Sequence, residues 1–152
     1  MTIQLVANSQ ELERSKSGTI WGRVYFQVDD RSFPDQGWTD IAIGFTEAWL
    51  NALTRILSGA CEQTVRFLDG PFAVQLLAEG EDRVAVNFFH KEIPIGKAGA
   101  LITDLMENAV SVSKSLLLAC RQNAWSDNDV TELVLAVRKA EALRSKSPGN
   151  WH

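Results

Sequence analysis

The sequence predicts an α+β fold, an antiparallel sheet of about five strands with three helices in the order ββ-α-βββ-αα. Three observations lead there. Apolar residues alternate with a period of two through residues 19–28, the mark of a half-buried strand. They recur at helical spacing through residues 41–58 and again beyond residue 97. Between these stretches lie three strand-like runs separated by gaps too short for a parallel return, which takes about a dozen residues. Strands and helices are therefore segregated along the chain, which is the α+β pattern.

Taken in order, Thr2–Ala7 reads as a short strand with Ile3, Leu5 and Ala7 on one face, and Gln10–Ser17 as a polar link. In residues 19–28, Ile20, Val24, Phe26 and Val28 share one face, while Trp21, Arg23, Tyr25 and Gln27 share the other. Asp29-Asp30-Arg31-Ser32 ends the strand with turn chemistry. Phe33–Trp38 is a loop, because Pro34 disfavours helix at Phe33. Thr39 or Asp40 is then placed to cap a helix whose apolar face is Ile41, Phe45, Trp49, Leu53 and Ile56, stopped by Gly59. The three strand runs are Thr64–Leu68, Phe72–Ala78 and Arg83–Phe89, joined by Asp69-Gly70-Pro71 and Glu79-Gly80-Glu81-Asp82. A long helix is expected from Lys97 to about Asn123, with Leu101, Leu105, Ala109, Val112, Leu116 and Cys120 on its apolar stripe. Ser126-Asp127-Asn128-Asp129 has the chemistry of a cap for the last helix. Residues 1–144 are expected to form one domain and residues 145–152 a loose tail.

Composition narrows the functional classes. The chain has 152 residues, 45% of them hydrophobic, with a net charge of −4. That acidic balance speaks against a general nucleic-acid binder, which carries a basic face. No apolar run is long enough to span a membrane. Met1-Thr2-Ile3-Gln4 lacks the basic and apolar regions of a secretion signal, and two cysteines make no disulfide scaffold, so a cytoplasmic location is expected.

Reactive constellations are sparse. The histidines are His90 and His152, and the cysteines Cys61 and Cys120 stand apart in the sequence, so no structural zinc site and no other metal or cofactor is expected. Gly96-Lys97-Ala98-Gly99, ahead of the expected long helix, fails the phosphate-loop pattern at Lys91 and Ala98. Ser111-Val112-Ser113-Lys114 and Ser126-Asp127-Asn128 match two motifs of the penicillin-recognising serine enzymes, but Lys16-Ser17-Gly18, resembling the third, precedes them where it should follow. His90 is the one realistic imidazole base, and no spacing ties it to a nucleophile.

Aromatic residues are the distinctive feature, with five tryptophans in the chain. Trp49 belongs to a core face, and Trp125 wedges between two helices. The strand face of Trp21, Arg23 and Tyr25 is either roofed by a helix or open as a partner surface, Trp, Tyr and Arg being the residue types enriched at interface hot spots. Trp38 is either a core plug or a contact residue.

Phe33-Pro34-Asp35-Gln36-Gly37-Trp38-Thr39-Asp40, the helix with Trp49, and Phe67-Leu68-Asp69-Gly70-Pro71-Phe72 together resemble a family of small, functionally uncharacterised bacterial proteins. In size and organisation the chain is similar to immunity-type proteins, which bind and neutralise a cognate toxin. The absence of catalytic and metal motifs, the acidic balance and the aromatic strand face, together with this resemblance, lead to the expectation of a non-enzymatic protein-binding domain, with Trp21, Arg23, Tyr25, Asp35, Trp38 and Asp69 as the candidate partner-binding residues. An acidic protein suits a basic toxin as partner by steering encounter. The alternatives are a small-ligand-binding protein or enzyme with a pocket between sheet and helices, converging on His90 or Asp69, and a homodimer through an exposed strand edge.

Overall fold

The computed structural model describes residues 2–145. It shows an α+β fold with three helices, and its strands form two antiparallel sheets of five and four strands where the sequence predicts one sheet of about five. The additional strands are β2, β4, β5 and β9 below. The first three of these have only two or three residues, too short to display a period.

The first sheet is built around one long strand. β1 (Ile3–Ala7), β2 (Glu13–Arg14), β4 (Arg31–Phe33) and β5 (Thr39–Asp40) all pair antiparallel with β3 (Ile20–Val28). The alternation read from the sequence holds, since Ile20, Val24 and Phe26 are buried and Arg23 is exposed. A 3₁₀ turn, Ser9–Glu11, links β1 to β2, and Asn8 caps it by accepting the Gln10 N–H.

The helix α1 (Ala42–Leu57) has Ile41 at its cap position, one residue after Asp40, and no side chain caps it. It ends as expected. Gly59 adopts φ +114° and donates to Ile56, while Ala60 donates to Arg55, the paired bonds of a Schellman stop. The second sheet then runs β6 (Glu62–Arg66), β7 (Phe72–Ala78), β8 (Arg83–His90) and β9 (Ile93–Leu101) in meander order.

β9 corrects the expected helix start at Lys97. Pro94, Gly96 and Lys97 lie in an edge strand, and α2 (Ile102–Gln122) begins after it. Gly96-Lys97-Ala98-Gly99 is thus strand, not the approach to a helix N-terminus. α3 (Asn128–Ser145) is capped by Asp127, whose carboxylate accepts the Val130 N–H at 2.9 Å. The expected loose tail lies outside the described residues from 146 onward, Ser145 being the last residue of α3.

One buried cluster joins both sheets and all three helices. Trp49 and Phe45 on α1 pack edge-on against Phe26 of β3, and Phe45 stacks on Phe67 at 4.1 Å between ring centroids. Phe33 and Phe26 meet Phe88 of the second sheet. α2 closes the open edge of β1, because the Asn108 side chain accepts the Leu5 N–H at 2.7 Å and donates to the Leu5 carbonyl at 3.2 Å. An edge that would otherwise present free backbone groups is thereby occupied.

Candidate functional site

The six candidate residues fall into two separate groups. Trp21, Arg23 and Tyr25 lie in a row on the outer face of β3. Asp35, Trp38 and Asp69 belong to loops gathered around one buried carboxylate that sequence reading assigned only as a helix cap.

That carboxylate is Asp40, 0% exposed. Its Oδ1 accepts the Ile41 N–H at 2.7 Å, and its Oδ2 accepts the Trp38 indole N–H and the Asp69 backbone N–H, each at 3.1 Å. A buried carboxylate needs such donors to offset its lost hydration. Here they come from both sequence motifs, so Asp40 ties the Phe33–Asp40 segment to the Phe67–Phe72 turn. The Trp38 ring finishes the junction, packing edge-on against Phe67 and Phe72. Gly70, at φ +83°, leaves room for it, since a Cβ there would stand 2.8 Å from Trp38 Cη2. Trp38 is half-buried and packs against the core at this junction. Asp35 shapes its own loop, accepting the Gly37 N–H at 2.7 Å, and the Asp69 side chain is exposed.

The outer face of β3 is different in kind. α1 lies against the opposite face, where Phe26 meets Phe45 and Trp49. The Arg23 side chain is 54% exposed, so no helix roofs it, and Trp21 and Tyr25 on either side are half-buried. Arg23 Nε meets Glu11 Oε2 at 3.2 Å. A pair this exposed contributes little to stability, about 0–1 kcal/mol, and leaves the guanidinium open to exchange for another carboxylate.

The second sheet also has a face turned from the core, and it is already self-satisfied. Gln75 donates to Glu62 at 2.9 Å, and Asn87 donates to Gln75 at 3.1 Å, a polar ladder across three strands. At the end of β8, His90 stacks on Phe72 with ring centroids 4.7 Å apart, and it has no nucleophile as a hydrogen-bond partner among the described residues. A cleft of about 350 Å³ lies between the sheets, lined by Val28, Asp30, Phe33, Phe88, Ile95 and Lys97, and one of about 360 Å³ lies between α1 and β6, lined by Glu47, Asn51, Arg55, Thr64 and Arg66. Neither His90 nor Asp69 lines either cleft.

Other titratable groups are structural. Burial pushes the Cys120 thiol up, with the Asp127 charge adding to it, which suits an inert core cysteine. Glu47 on α1 is raised above the usual carboxylate value by desolvation, then by Glu132 and Asp129 of α3, against the opposing pull of Arg55 and the Asn51 hydrogen bond. Asp129 is raised by desolvation and by Asp127. No group of His, Cys, Asp or Glu side chains among the described residues is arranged to hold a metal ion, and no helix among them is long and apolar enough to cross a membrane.

No family model, curated protein or solved structure matches the chain.

Proposed function

We propose that this protein is a protein-binding domain of the immunity type, docking a basic toxin through the outer face of β3. One observation carries the reading: Trp21, Arg23 and Tyr25 stand side by side on a strand face that no helix roofs. Trp and Tyr bring large contact area at low entropy cost, and Arg a directional charge, the combination found in interface hot spots. Alternate residues of a strand lie about 6.6 Å apart, so the row spans about 13 Å, a fitting centre for a contact patch. The chain's charge of −4 favours encounter with a basic partner.

The cleft between β4 and β9, with Phe33 and Phe88 on its floor, supports a second reading as a small-ligand site. Arg23→Glu separates the two. On the interface reading it weakens binding to the partner co-purified with the tagged chain by about tenfold or more, while folding stability falls by no more than about 1 kcal/mol, the scale of the lost Glu11 pair. Unchanged affinity with an intact fold would remove β3 from the interface.

A further inference from the structure

Beside the Trp21–Arg23–Tyr25 row, the segment that enters β2 closes a concavity of about 480 Å³. Leu12 shapes it. Leu12 is buried, and a Cβ on Gly22 would stand 2.6 Å from Leu12 Cδ2, so the missing side chain at Gly22 is what lets Leu12 sink inward. With Leu12 pointing in, its neighbours Glu11 and Glu13 are exposed and line the concavity with Trp21, Arg23 and Thr39. Glu13 is directly opposite Trp21 in the β2–β3 register, which puts both side chains on one face with Cβ atoms about 4.5–5.5 Å apart.

The charges there do not balance. Glu11 is paired with Arg23, whereas Glu13 has no side-chain partner among the described residues. Two carboxylates and one guanidinium thus line the concavity beside an indole ring, and the charge of Glu13 is left uncompensated.

We propose that this concavity receives a single arginine side chain from the partner protein, a reading that rests on β3 being the interface. A cation held over an indole face gains from the ring quadrupole, and the carboxylate of Glu13 offers two oxygens to a guanidinium fork. Arginine fits better than lysine because its planar head can stack on Trp21 and bond Glu13 together, where an ammonium offers only a point charge. Protein surfaces that meet an acidic patch present such side chains, and the net charge of the chain favours their approach.

The test is an NMR titration of the full chain with the peptide acetyl-Gly-Gly-Arg-Gly-Gly-amide. Its counterparts carry lysine, or the uncharged isostere citrulline, in place of the arginine. The arginine peptide is expected to shift the Trp21 indole N–H and the Glu13 and Arg23 amides saturably, with citrulline weakening binding about fivefold or more. Glu13→Gln is expected to produce the same loss while resonances elsewhere stay in place. Absence of saturable shifts, or equal shifts with citrulline, overturns the arginine subsite.

A photoreactive residue at position 25, outside the concavity, keeps the two claims apart. A protein crosslink there that Arg23→Glu abolishes and Glu13→Gln leaves untouched retains the interface and overturns the subsite. A crosslink lost in both variants supports the subsite. No protein crosslink at position 25 overturns the interface itself, and the subsite with it.

Discussion

Asp40→Ala strikes the junction on which both sequence motifs converge. The wild-type carboxylate is fully buried and accepts three hydrogen bonds, from Ile41 N–H at 2.7 Å and from Trp38 Nε1–H and Asp69 N–H at 3.1 Å. Removing it strands all three donors at once. A bond to a charged group is worth about 1.5–3 kcal/mol, but these donors are only partly buried and water can reach some of them, so about 1–1.5 kcal/mol each is the better scale. The expected loss is then about 3–5 kcal/mol. Chemical denaturation gives the stability, and the Trp38 indole N–H resonance reports the junction directly. Asp40→Asn should fall between the two, because its amide can accept at one side only and turns a donor toward donors at the other. A stability loss under about 1 kcal/mol for Asp40→Ala, with the Trp38 resonance unmoved, would refute the claim that Asp40 holds the two loops together.

Three further outcomes follow from the core, a turn and a helix interface. Trp49→Ala should cost about 3–5 kcal/mol by denaturant midpoint, since Trp49 is 0% exposed and packs 4.7 Å from Phe26. Lys91 and Glu92 both hold positive φ, 52° and 66°, in the two-residue turn between β8 and β9, so replacing them by Asn-Gly should stabilise the protein by about 1 kcal/mol. A thermal midpoint unchanged by that replacement would count against the turn assignment. Glu47→Gln concerns pH. The folded state raises the Glu47 pKa, so it holds the proton more tightly than the unfolded chain, and stability declines as pH climbs through that window. The variant should therefore be more stable than wild type at about pH 7, with the advantage shrinking toward about pH 4. An equal advantage at both would show that folding does not raise the Glu47 pKa.

The legible parts of the fold were those with a long, unmixed period. Residues 20–28 alternate without interruption, and the helical stripe of Phe45, Trp49, Leu53 and Ile56 is buried as spaced. β9 was illegible for two physical reasons. Its sequence, Ile-Pro-Ile-Gly-Lys-Ala-Gly-Ala-Leu, is poor in strand formers, and the turn before it uses Lys-Glu where Asn-Gly would announce a hairpin. Pairing with β8 overrides both. The two sheets pack together through contacts such as Phe33 with Phe88, residues far apart in sequence that no local period announces.

At the candidate site, the strand row was readable because period two separates Arg23 from Val24 and Phe26. Asp40 was misread because one Asp ahead of a helix looks like a cap whether it faces water or the core. The available signal was the pair of Trp and Gly-Pro motifs, which share Asp40 as their common acceptor.

The central claim is that the outer face of β3 meets a partner protein. Photocrosslinking in living cells from position 25, compared with position 75 on the polar ladder of the second sheet, tests it most directly. A specific protein crosslink is expected from position 25, lost on Arg23→Glu with the fold intact, and none from position 75. A specific crosslink from position 75 alone would contradict it and move the interface to the second sheet.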